Sequence, residues 1–114
     1  MDRVAFQQLL RNLRHRPVQH GIPPGLTHAI VYMEACDAST EYQLLGREFS
    51  HWIKVQRGDD DANTFAWFRE IVWLLLGSTE DHTIYYWDLE GDKAETARTL
   101  LFDSVDAFLT ECTA

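Results

Sequence analysis

Phe6, Leu9, Leu10 and Leu13 recur at i, i+3, i+4 and i+7, a spacing that confines residues 2–15 to an amphipathic helix with one apolar stripe. Such a helix has to lay that stripe on a core supplied by the rest of the chain. Asp2 is placed to cap its start, and Arg11, Arg14 and Arg16 fall in or just beyond its last turns, where positive charge complements the helix dipole. Pro17 and the run Gly21-Ile22-Pro23-Pro24-Gly25 then stop the helix and stiffen the connection that follows.

The run from His28 to Cys36 is short, apolar and β-branched in the middle, which predicts a mostly buried strand. Residues 38–57 carry two patterns. Tyr42, Leu45, Phe49, Trp52, Ile53 and Gln56 fit a helical face, while Gly46 interrupts it and Phe49, Ile53 and Val55 also suit an extended chain. The extended reading, a hairpin turning near Gly46, is favoured. Phe65, Phe68, Val72 and Leu75 predict a second helix over 62–76, ending at Gly77, with Trp67, Ile71 and Trp73 widening its apolar surface beyond one stripe. Such a helix is buried on more than one side or meets a partner.

Thr83-Ile84-Tyr85-Tyr86-Trp87-Asp88-Leu89 is β-branched and aromatic between turn residues and predicts a strand, with a turn over 90–93. A second strand is expected at 99–103, followed by a last helix that Asp103 or Ser104 caps and from which Val105, Phe108 and Leu109 point inward. The expected architecture is therefore a single α+β domain over 1–114, a small mixed or antiparallel sheet packed with two to three helices. A chain of 114 residues, 46% hydrophobic and 25% charged, can bury such a core without staples.

Cys36 and Cys112 form no CxxC pair and read as reduced thiols of a cytoplasmic protein, with a single bridge between them left open. No stretch approaches the roughly 18 apolar residues of a membrane span, so no membrane partner is expected. The net charge of −8 is unevenly placed: residues 1–57 hold seven Lys/Arg against five Asp/Glu, whereas residues 58–114 hold three against thirteen. That balance disfavours nucleic acid and anionic membranes and favours a basic protein partner.

Chemistry-bearing constellations are weak. His15, His20, His28, His51 and His82 make no HxxxH or HExxH pair, so no metal is expected. Asp59, Asp61, Asn63 and Glu70 have calcium-loop spacing, but Thr64 stands where the loop turns on glycine, and the aspartates read better as caps of the helix that follows. No serine lies in a GxSxG elbow and no glycine pattern cradles a phosphate, so neither catalytic residues nor a cofactor are assigned, and the chain is not expected to be an enzyme. What remains is a set of carboxylates at expected element ends: Asp59, Asp60 and Asp61; Glu80 and Asp81; Asp88, Glu90 and Asp92. Converging on one face, they would engage Arg and Lys of a partner and steer its approach.

The segment Thr83-Ile84-Tyr85-Tyr86-Trp87-Asp88-Leu89-Glu90, followed by Phe102-Asp103-Ser104-Val105-Asp106-Ala107-Phe108-Leu109, resembles the end of SMI1/KNR4-like (SUKH superfamily) domains. Those domains often close with an aromatic strand, an acidic turn and a serine-started helix of the form S-F-x-x-F-L, with Val105 here in place of the first Phe. The resemblance implies an α+β immunity protein that neutralises a bacterial toxin by direct binding. The charge pattern and the resemblance together favour an immunity or inhibitor protein that occludes a basic active site, such as a nuclease's. The alternative is a dimeric adaptor or secretion-chaperone subunit that uses the aromatic helix around Trp67 and Trp73 to pair with a second copy or hold a client.

Overall fold

The computed structural model describes residues 1–21, 23, 25–58, 67–76 and 85–113. Among them the regular elements are five α-helices and two short 3-10 turns, and no strand is present: α1 (Arg3–His15), a 3-10 turn (Pro17–His20), α2 (Leu26–Ser39), α3 (Gly46–Arg57), α4 (Trp67–Leu76), a second 3-10 turn (Tyr86–Asp88) and α5 (Gly91–Thr113). The expected α+β class is overturned, and the architecture that the family resemblance implied falls with it.

α1 forms as its spacing predicts. The Asp2 side chain accepts the Ala5 N–H at 2.8 Å, and Phe6, Leu10 and Leu13 are buried. Its cations do more than complement a dipole. Arg11 reaches both carboxylate oxygens of Asp106, at 2.9 and 3.3 Å, and Arg14 meets Asp103 at 2.6 Å, which fastens α1 along α5. Gln7, buried beneath them, donates to the Asp106 backbone carbonyl and to the Thr110 hydroxyl.

The run at 28–36 is helical because its buried positions, Leu26, Ala29, Ile30, Met33 and Asp37, follow a helical repeat that a reading begun at His28 obscures. Val31, which suggests a strand, lies on the solvent side of α2. A β-branched residue is only a mild handicap in a helix, and packing outweighs it.

Between 38 and 57 the helical alternative holds and the hairpin does not. Gly46, with φ of 56°, opens α3, and Leu45, Phe49 and Ile53 are buried at helical spacing. The Asp37 carboxylate organises this start. It accepts the N–H of Leu44 at 3.1 Å and those of Leu45 and Gly46 at 2.9 Å, the last two being groups that a helix N-terminus leaves without partners.

The strand at 99–103 and the capped helix after it are one helix of 23 residues, α5. Ala97, Leu101, Val105, Phe108 and Leu109 form its buried stripe, and Ser104 lies inside the helix and caps nothing. Thr99, which opens the expected strand, donates its hydroxyl to the Glu95 carbonyl one turn back, as Thr96 does to the carbonyl of Asp92. Residues 85–89, the described part of the other expected strand, fold as a 3-10 turn closed by the Tyr85 N–H donating to the Asp88 carboxylate at 3.0 Å.

α4 is helical as expected over its described residues. Trp67, Arg69, Glu70, Ile71 and Val72 are all buried, so this helix is covered on several sides within one chain.

Candidate protein-docking site

A connected series of aromatic rings leads out of this core. Phe49 packs on Phe108 at 5.2 Å and on Trp67 at 5.6 Å. Trp67 meets Phe68 edge-on at 5.6 Å, Phe68 meets Tyr86 at 5.4 Å, and Tyr86 meets Trp87 at 4.8 Å. At the outer end Tyr85 stacks on Trp87 with centroids 4.5 Å apart and planes 5° from parallel. The Arg69 guanidinium lies 4.2 Å over the Tyr85 ring, holding that ring against α4.

Tyr85 and Trp87 nevertheless remain 37% and 55% exposed. Tyr86 packs inward on Phe68, and its two neighbours are left on the solvent side. Asp88, Glu90 and Asp92 follow immediately and are exposed, and none forms an ion pair among the described residues. Glu34 of α2 is near enough that its charge adds to burial in raising the Tyr86 hydroxyl above the ordinary tyrosine range. Glu34 is itself shifted upward, by partial burial and then by the charge of Asp37. The region thus joins two large exposed aromatic rings to a strongly anionic margin.

Of the residues singled out in the sequence, Asp88, Glu90 and Asp92 are described and stand exposed just after Tyr85 and Trp87 in the chain. Asp59, Asp60, Asp61, Glu80 and Asp81 lie outside the described residues, as does the side chain of Trp73, whose backbone belongs to α4. Trp67, read as a dimer or client surface, is 6% exposed and packed against Phe49 and Phe68, so its ring belongs to the core. Asp103 and Asp106, two more carboxylates of the acidic half, are engaged by Arg14 and Arg11. Sequence reasoning missed Tyr85 and Trp87 by assigning them to a strand, although aromatic residues directly beside Asp88, Glu90 and Asp92 were the available signal.

Trp67 also lines a cleft of about 720 Å³ between α2 and α3, with Val31, Glu34, Tyr42, Arg47 and Ser50 around it. Glu41 and Tyr42 in the connecting turn have φ of 58° and 63°, a left-handed conformation that side-chain-bearing residues rarely adopt. The Tyr42 N–H donates to the Asp37 carbonyl at 2.7 Å and holds the turn in place. Tyr42 is 66% exposed and Val31 53%, so the cleft is flanked by exposed apolar groups.

Among the described residues no His, Cys, Asp and Glu side chains gather in a group that could hold a metal ion, and no helix is long and apolar enough to cross a membrane. Cys36 and Cys112 are both free thiols. No family model, curated protein or solved structure matches this chain. The functional reading therefore rests on the chemistry of the surface.

Proposed function

We propose that this protein is an acidic binding module that docks a basic protein partner on the surface made by Tyr85, Trp87, Asp88, Glu90 and Asp92. The observation that carries the reading is the stacked Tyr85 and Trp87 pair, left exposed beside a run of carboxylates. Exposed tryptophan and tyrosine held rigid at low entropic cost are the side chains that dominate protein interfaces. Carboxylates around them speed the approach of a cationic partner, and the indole face can receive an Arg or Lys side chain.

The biological setting we favour is that of a cytoplasmic immunity or inhibitor protein that covers the cationic active site of a toxin, a nuclease being the natural example. Two free thiols suit that compartment. The resemblance of the C-terminal third to SUKH immunity domains supports the role through its aromatic and acidic residues and not through its fold. The adaptor alternative loses its anchor at Trp67, whose ring is already covered within the chain.

The product of the adjacent reading frame is the partner to test, by titration calorimetry at several salt concentrations. Trp87→Ala should weaken binding at least tenfold, and Glu90→Gln with Asp92→Asn should weaken it and flatten its salt dependence. Asp88 is left unchanged because its carboxylate also closes the turn. Binding that ignores salt and survives Trp87→Ala would overturn this reading.

A further inference from the structure

We infer that the docking surface continues from Trp87 into the cleft between α2 and α3, and that the cleft receives an apolar side chain from the same basic segment of the partner. This inference rests on the docking reading above and adds a subsite to it.

Three observations carry it. The first is continuity. α2, whose Val31 and Glu34 line the cleft, packs against the 3-10 turn Tyr86–Asp88 that carries Trp87. Glu34 belongs to both places, since it lines the cleft and acts on the Tyr86 hydroxyl.

The second is the chemistry of the walls. Val31 and Tyr42 expose apolar surface to a space of about 720 Å³, with the Trp67 indole among the lining groups. A cleft of that size accommodates a large apolar side chain with its neighbouring backbone. Tyr42 is held there by a turn containing two residues in the left-handed region, a conformation with a cost in stability that glycine would not incur.

The third is charge. The Asp37 carboxylate is occupied by three backbone N–H groups, so Glu34 is the carboxylate the cleft offers to a visitor, with Arg47 of α3 bearing the opposite charge. A segment whose basic residues flank an apolar one is drawn toward Glu34 and the acidic margin and away from Arg47. Charge thereby selects a cationic segment and gives it a direction.

The test uses the full chain and two fluorescein-labelled synthetic decapeptides read by fluorescence anisotropy. One alternates arginine with glycine; the other is identical except that one central glycine is replaced by phenylalanine. The phenylalanine peptide should bind at least about tenfold more tightly, the gain expected from burying one aromatic side chain. Val31→Gln and Tyr42→Gly should each remove most of that advantage while leaving the arginine-glycine peptide unaffected, and Trp87→Ala should weaken both. Val31 and Tyr42 are exposed, so both variants keep the fold, which thermal melts verify. Equal affinities for the two peptides, or an advantage that survives both substitutions, overturn the cleft subsite while the docking reading stands. Failure of both peptides to bind overturns both.

Discussion

The Asp37 carboxylate accepts the backbone N–H of Leu45 at 2.9 Å and, with its bonds to Leu44 and Gly46, joins the last turn of α2 to the first turn of α3. One buried side chain thus satisfies three donors that water cannot easily reach. Asp37→Ala should lower the unfolding free energy by about 2–3 kcal/mol, the range for losing charge-assisted bonds at a buried helix start. Asp37→Asn, which keeps an acceptor, should lose less. Urea denaturation of the three proteins provides the measurement, and equal stability of Asp37→Ala and the parent would remove the role assigned to this carboxylate.

Tyr42 sits at φ of 63° with most of its ring in solvent. Glycine tolerates that backbone without the steric penalty and gives up little buried surface there, so Tyr42→Gly should stabilise the protein by about 0.5–1 kcal/mol. Its melting temperature should rise by a few degrees. A fall would mean that the ring contributes more to the fold than its exposure suggests.

The hydrogen bond from Arg11 holds the Asp106 carboxyl below the ordinary aspartate range, against partial burial and with help from Gln7. Because the folded-state pKa is depressed, the stabilisation is fully present above the unfolded-state pKa and is lost as pH falls through the folded value. Asp106→Asn should therefore lower the melting temperature by a few degrees at pH 7, and the gap from the parent should close below about pH 4. Its size is limited because both side chains are partly exposed to solvent. Melting curves from pH 3 to 7 check both the sign and the window.

Burial raises the Cys36 thiol above the ordinary range, Asp37 adds to the shift and a hydrogen bond with Tyr32 opposes it, whereas Cys112 lies exposed near the end of α5. The thiolate is the reactive form, so iodoacetamide at pH 8 should label Cys112 well before Cys36. Labelling of Cys36 should accelerate at higher pH or on unfolding in urea. Mass spectrometry of a time course reads the order, and equal rates would contradict it.

The sequence by itself determined α1 down to its Asp2 cap, the helical core spacing around Phe68 and Val72, and the exposure of Asp88, Glu90 and Asp92. These are decided within one or two turns, by apolar repeat, by capping chemistry and by the solvation of charge, so no distant residue is needed to specify them. Whether the run at Ile30 and Val31 is strand or helix, and whether Leu101 lies in a strand or deep in a 23-residue helix, depended on what covers each face. Short apolar runs with β-branched residues satisfy either period until neighbours bury one set of positions, and here α5 does so for α2 while α1, α2, α3 and α4 do so for α5. The same dependence exchanged the roles of the tryptophans. Trp67 is interior because Phe49 and Phe68 close around it, and Trp87 is outward because its neighbour Tyr86 takes the inward place against Phe68; burial belongs to the packed assembly and not to the residue type.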